Sequence, residues 1–410
     1  MTSQDLLERA QFYLNKLCLD IPDRRVGSFG NQMATEFFAE YIASFGFRTE
    51  CPEFSCIDWD HGAVRMEVDG RSFEVLISPY SLACDVSAPL ISVSSIQEIE
   101  RIDSSDKILL LHGDIAKEQL MPKKFPFYNP ETHQQIYHQL ESKQPLAILA
   151  ATSRNPELAG GVYPFPLIED GDFDIPSAYM TAEEGKRLFD HVGKVASLFI
   201  DAQRHPATGC NVLGWKGGDA GQRIVVCAHI DAKEGTSGAL DNATGVVVLL
   251  ILAELMKEYQ GNLELEIVAI NGEDYYAASG EIQYVERMEG RWDEILLAIN
   301  MDCAGFYKGR TEYSLYGCPE KMSKAIRDVF DSQAEFVEGA PWYQSDHSIF
   351  IQNGRPAIAI TSDNFMELST DITHTPKDHP DLVDARKLVQ IAEAVKSVIL
   401  TLDFPPHYET

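Results

Sequence analysis

Apolar residues recur at helical spacing from Gln4 to Leu17 (Leu6, Leu7, Ala10, Phe12, Tyr13, Leu17), and again from Gln32 to Phe45. Two amphipathic helices are therefore expected at the start of the chain. The segment between them, Arg24-Arg25-Val26-Gly27-Ser28-Phe29-Gly30-Asn31, reads as a loop. Beyond residue 60 the texture changes to short β-like runs at Val64–Val68, Phe73–Ile77, Ile108–Leu111, Leu146–Ala150 and Ser197–Ile200, with prolines in the loops between them. Within 113–145, Pro122, Pro126 and Pro130 break every periodic pattern, and no element is expected there.

From about Cys210 strands and helices alternate, the signature of a sheet covered on both faces. Ile224–Ala228, Leu263–Ile270, Ile295–Met301 and Ala357–Thr361 read as buried strands, Ala243–Tyr259 as a long apolar helix, and Asp384–Leu402 as a closing helix. The expected fold is α/β: a mixed, mostly parallel central sheet with helices on both faces, plus an inserted β-rich smaller domain. The domain reading is 1–60 and 206–410 for the main unit and 61–205 for the insert.

Composition narrows the function classes. With 34 basic and 63 acidic side chains among 410 residues, the formal net charge is −29, a field that repels phosphate backbones and anionic lipid. Neither nucleic acid nor membrane is expected as a partner. The longest apolar run, Val246–Ala253, falls well short of the ~20 residues a bilayer crossing needs. The opening Met1-Thr2-Ser3-Gln4-Asp5 shows no secretory signal, so the expected location is cytoplasmic, with export left open. Eight cysteines without CxxC spacing read as buried thiols of a reducing compartment; Cys51 and Cys56 are the pair that could bridge in an exported protein.

Ligands of open α/β sheets bind beyond the carboxyl ends of the strands. There the chain places His229 and Asp231, then Glu273 and Asp274, then Asp302; Asp241 precedes the apolar helix as ligand or N-cap, and His374 lies in a polar loop before the last helix. Each has an ordinary alternative: a cap, a satisfied core histidine, a solvated turn. Gathered at one sheet edge, however, these carboxylates would repel one another unless cations are present. Two Zn²⁺ ions carry four positive charges, matched by three carboxylate ligands and one bridging hydroxide, and mixed N and O donors suit zinc, though other divalent metals are possible.

The ordered motifs Ala228-His229-Ile230-Asp231, Gly238-Ala239-Leu240-Asp241-Asn242-Ala243-Thr244-Gly245, Gly272-Glu273-Asp274, Asn300-Met301-Asp302, Ser345-Asp346-His347 and His374-Thr375-Pro376-Lys377-Asp378 resemble the co-catalytic zinc exopeptidases. That family includes bacterial leucyl-type aminopeptidases, glutamate carboxypeptidases and glutaminyl cyclases. Arg24, Gly27, Ser28 and Asn31 are similar to its N-terminal start, and residues 61–205 to the protease-associated domain that some members carry. The resemblance implies that His229 and Asp302 hold one metal, Asp274 and His374 the other, and Asp241 bridges them. It further implies that Asp231 orients His229, that Glu273 is the general base, and that Tyr343, with Trp342 at the rival position, donates to the oxyanion. His347 and Asp346 would shape the pocket wall. Many members have two glutamates where this chain has Glu273 and Asp274, which bears on metal preference.

The implied activity is that of a di-zinc metallo-exopeptidase acting on a peptide substrate, an aminopeptidase in the favoured form, with a metal-bridging hydroxide as nucleophile. The alternatives are a single-zinc glutaminyl cyclase-like acyltransferase, a carboxypeptidase of the glutamate carboxypeptidase kind, and a non-catalytic binding module on the same frame. In the amidohydrolase and dipeptidase group the bridging aspartate lies much farther from its His-x-Asp motif than Asp241 lies from His229. His133, His138 and His191 read as surface residues. Side-chain specificity and oligomeric state stay open.

Overall fold

The computed structural model describes residues 2–21, 23–154, 162–218 and 221–403. The chain divides into two compact units: Met1–Cys56, Thr208–Tyr275 and Ser279–Thr410 form the first, and Ile57–Ala207 with Tyr276–Ala278 the second.

The first unit is built on an eight-stranded mixed sheet. Its strands run in the order Arg48–Glu50, Val212–Gly217, Glu264–Ile270, Arg223–His229, Ile295–Met301, Ala357–Ser362, Thr311–Tyr316, Phe336–Glu338. The four central strands are mutually parallel, and antiparallel partners flank them. These central strands are buried almost throughout, as expected when helices cover both faces and no side chain can alternate into water. Arg223–His229 comes first of the four in sequence, yet it lies between the second and third. Chain order therefore reverses across it and opens a crevice at its carboxyl end.

Helix Thr244–Leu255 is buried on every side apart from its last residue, which explains its unbroken apolar sequence. It packs against the closing helix Ala385–Asp403, whose own buried positions repeat at three and four residues. Gly245 lets it start tight on the sheet: a Cβ there would stand 2.8 Å from the Ala228 Cβ and 2.7 Å from the Met301 carbonyl. The two opening helices lie at Ser3–Asn15 and Phe29–Ser44. Thr2 and Asp5 form a reciprocal capping box on the first, and the Ser28 hydroxyl accepts from Asn31 N–H at the second.

The second unit is an eight-stranded sheet ordered Arg71–Phe73, Glu53–Val68, Val195–Cys210, Cys84–Val93, Ile108–Leu111, Ala147–Thr152, Ser177–Thr181, Leu76–Ile77. It also carries helices, and one overturns an expectation. Glu131–Lys143 is helical inside the proline-broken stretch because the prolines cluster ahead of it, Pro130 serves as N-cap, and His133, Ile136, Tyr137 and Leu140 bury one face. His133 and His191 are buried, not at the surface as expected; His133 Nδ1 accepts from Met121 N–H at 2.9 Å, and His191 stands 3.4 Å from Asp69. His138 is exposed. Among the described residues no helix is long and apolar enough to cross a membrane.

The packing of the central helix is open to a direct test. Leu249→Ala, at a fully buried position, should cost about 2–5 kcal/mol by transfer and cavity terms together, read as a lower urea midpoint at unchanged slope. A loss under about 1 kcal/mol would mean the helix is not held by this packing.

Candidate metal centre

Parallel registry brings the chemistry to one edge. His229 is level with Ile270, and Cys227 with Asn300, so Asn271 and Asp302 leave their strands beside the imidazole. Four backbone segments then converge: the end of Arg223–His229, the irregular turn Gly238–Ala243, the turn after Ile270 and the start of the loop after Met301. A fifth, the polar loop carrying His374, closes the group. His229 Nε2 stands 3.1 Å from Asp241 Oδ1 and 3.7 Å from Asp302 Oδ1, while His374 Nε2 stands 3.1 Å from Asp241 Oδ2 and 3.0 Å from Asp274 Oδ1. Asp241 is thus the shared member, one carboxylate oxygen toward each imidazole. It is not a helix cap; that task falls to the neighbouring Asn242, whose Oδ1 accepts from Gly245 N–H at 3.1 Å.

The cluster is buried: His229 is 0% exposed, Asp302 6%, Asp241 8% and Asp274 9%. Burial works against charge on His229, yet the neighbouring carboxylates of Asp231, Asp241 and Asp302 raise its pKa well above the usual imidazole range. Burial likewise opposes charge on His374, and Asp274 and Asp241 raise it. Burial also opposes charge on Asp241, and the two imidazoles push it down. Imidazoles and carboxylates thus favour one another's charged forms, a role that a dication can take over.

The donor set fits such an ion. His229 Nε2, Asp274 Oδ2 and Asp302 Oδ1 are buried with no hydrogen-bond partner, an arrangement costly for polar atoms unless something else satisfies them. Donor atoms of His229, Asp241 and Asp274 lie within 4.8 Å of one another, as do those of Asp241, Asp302 and Cys303. The two triads share Asp241. Burial, with Asp241 and Asp302, pushes the Cys303 thiol well above its ordinary range, leaving it a neutral neighbour.

Glu273 lies on the turn between these ligands, half-buried. Burial, reinforced by Asp274, Asp302 and Asp346 and opposed by His229, raises its pKa well above the carboxylate range. Asp231 departs from expectation. Its carboxylate accepts Gly272 N–H at 2.7 Å and Asp274 N–H at 3.0 Å, whereas His229 Nδ1 meets its backbone oxygen at 3.3 Å and its carboxylate only at 3.7 Å. Asp231 fixes the Gly272–Asp274 turn as much as the imidazole. Tyr343 is 62% exposed with its ring edge-on to Tyr316, and among the described residues no hydrogen bond joins its hydroxyl to the cluster. His347 Nε2 bonds the Trp342 carbonyl at 2.8 Å, and burial lowers its pKa. Asp346 is buried with both carboxylate oxygens unpartnered, and burial pushes its pKa up to about 8.

Two supports were missed at the level of sequence. Asp378 was quoted only as part of a motif, yet its buried carboxylate accepts Leu240 N–H at 2.7 Å and Asp241 N–H at 3.1 Å, orienting the shared ligand. Arg24, 1% exposed, donates to the carbonyls of Leu17, Ile230, Ser237 and Gly238 at 2.8–3.0 Å. It thereby staples the segment after His229 to the one before Asp241. The only sequence signal for Arg24 was an arginine ahead of a helix start.

Residues 211–399, which contain every candidate ligand, match the family model described as Peptidase family M28. Probable leucine aminopeptidase 2 of Aspergillus fumigatus is 23% identical over 377 residues, covering 86% of this chain and 71% of its own. Among solved structures, the aminopeptidase from Aneurinibacillus sp. strain AM-1 superposes with a TM-score of 0.75 at 20% identity, over 98% of this chain and 93% of that one. The zinc aminopeptidase BSAP from Bacillus subtilis gives 0.75 at 19% identity, over 98% and 96%. These matches agree with the resemblance drawn from the motifs, and the mixed α/β fold is the expected one.

Asp378→Ala would leave two buried N–H groups unpaired and free the Asp241 turn to shift. Zinc affinity, measured by competition with a chelator, should fall about 10–100-fold, the usual consequence of losing a residue that orients a ligand. Unchanged affinity would show that the turn holds its shape without Asp378.

Proposed function

We propose that this chain, whose residues 211–399 match Peptidase family M28, is a di-zinc aminopeptidase. In this reading His229 and Asp302 hold one zinc, Asp274 and His374 the other, and Asp241 is common to both. The observation that carries it is Asp241 itself, with one oxygen 3.1 Å from each of the two imidazoles. Bound there, zinc would supply Lewis acidity at the scissile carbonyl and lower the pKa of water to near neutrality.

The remaining steps belong to the chain. Glu273 is held between the ligands by a turn whose two N–H groups Asp231 accepts. It takes a proton from the attacking water and delivers it to the leaving amine. Asp378 and Arg24 keep Asp241 and the His229 segment in place while charge moves between substrate and Glu273. An oxyanion role for Tyr343 requires its exposed side chain to turn inward when peptide binds. An N-terminal substrate also suits the field of a −29 chain, which draws a cationic amine toward it, and the relatives described above are named as aminopeptidases. The same reading takes residues 61–205 as a protease-associated-like insertion, supported by a chain that leaves the first unit after Cys56 and returns to it at Thr208.

The test pairs a metal count with an activity screen. Two zinc equivalents per chain, with release of free N-terminal residues from unblocked peptides and none from N-acetylated ones, is the expected outcome. One equivalent, with ammonia released from glutamine-initiated peptides, would transfer the chain to the cyclase reading. Glu273→Gln should lower kcat by about 10²–10⁴-fold, the range for general acid–base groups, with both zinc ions retained; near-normal turnover would remove Glu273 from the mechanism.

A further inference from the structure

Cys51 and Cys210 lie outside the metal centre, and no step above uses them. Cys51 is exposed and directly follows the strand Arg48–Glu50; Cys210, half-buried, ends the strand Val195–Cys210. Their backbones run side by side: Asn211 N–H donates to the Pro52 carbonyl at 3.3 Å, and Glu50 is level with Leu213. By that register Glu53 lies opposite Cys210, so the two cysteines face each other on one diagonal of the ladder. Their thiols lie close enough for each to shift the titration of the other. Residues 51 and 52 belong to no strand, which leaves the link free to make the small adjustment that disulfide geometry requires.

We propose that Cys51 and Cys210 are a disulfide-forming pair, closed by exchange with a low-molecular-weight disulfide. The exposed Cys51 thiolate attacks one sulfur of the co-reactant, forming a mixed disulfide and releasing one thiol. Cys210 then attacks the Cys51 sulfur, forms the internal S–S bond and releases the second thiol. The chain loses two hydrogens and the co-reactant gains them. The neighbouring Cys210 brings the Cys51 thiol down to about 7, so a large fraction is thiolate at neutral pH, while the same proximity and burial hold Cys210 protonated until its partner is engaged. The order of attack follows from that asymmetry and from exposure.

The bond would act on the catalytic side of the fold. The Cys210 carbonyl accepts Asn271 Nδ2 at 3.1 Å, and Asn211 Oδ1 accepts Asn271 N–H at 2.8 Å. Asn271 opens the turn that carries Glu273 and Asp274. Oxidation therefore clamps the segment that buttresses this turn, and it closes a loop of roughly 160 residues, a length at which a cross-link restricts the unfolded chain strongly.

The experiment uses the full chain, reduced and then incubated with oxidised glutathione, denatured, alkylated with N-ethylmaleimide and mapped without reduction. The expected result is six alkylated cysteines instead of eight, a mass lower by two hydrogens before alkylation, and one linked peptide pair bearing Cys51 and Cys210. Cys210→Ala should instead retain glutathione on Cys51, and the oxidised wild-type chain should melt about 5 °C or more above the reduced one. Alkylation of both Cys51 and Cys210 after oxidation, or a map joining Cys51 to Cys56, would overturn the proposal.

Discussion

Everything at the functional edge of this protein follows from crowding three buried carboxylates against the buried His229 imidazole and the partly exposed one of His374. Charge removed from water must be paired, coordinated or neutralised. Here Asp241 meets an imidazole on each side, and buried oxygens of Asp274 and Asp302 have no hydrogen-bond partner. Such a site resists collapse only if the surrounding backbone holds its members apart and in place. Its rigidity and its affinity for cations are therefore two aspects of one electrostatic constraint.

The scaffold meets that constraint with the ends of parallel strands. Strand ends deliver His229, Asp302 and the Gly272–Asp274 turn at fixed heights, because the ladder sets the register. The irregular segments that supply Asp241 and His374 have no ladder, and polar side chains do the equivalent work. Asp378 takes the N–H groups of Leu240 and Asp241, Arg24 takes four carbonyls, and Asn31 and Asn271 exchange amide bonds at 2.8–2.9 Å. His374 and Cys303 add left-handed backbone at φ 59° and 52°, a conformation that costs an L residue about 1 kcal/mol. It is kept where it aims a functional loop.

Asp231 shows how a correct placement can carry the wrong emphasis. The family resemblance implied an imidazole-orienting partner, and the chain does bring the two together. Yet the shorter bonds of its carboxylate run to backbone N–H groups forty residues downstream. Tyr343 is the opposite case, a role inferred from likeness alone, with a side chain that faces solvent. The helix Glu131–Lys143 escaped notice because prolines crowd the residues before it, although its buried face repeats at three and four positions.

By itself the sequence determined the α/β class, the buried central strands and helix, and the identity of the residues at the strand ends, because hydrophobic periodicity and ligand chemistry are both local properties of the chain. Tertiary structure alone decided that Asp378 and Arg24 hold the irregular turns, and that Cys51 meets Cys210 and not Cys56. The reason is physical: each of these depends on which distant backbone groups are left without partners once the sheet has formed. That is a global condition on hydrogen bonding, and no local pattern encodes it.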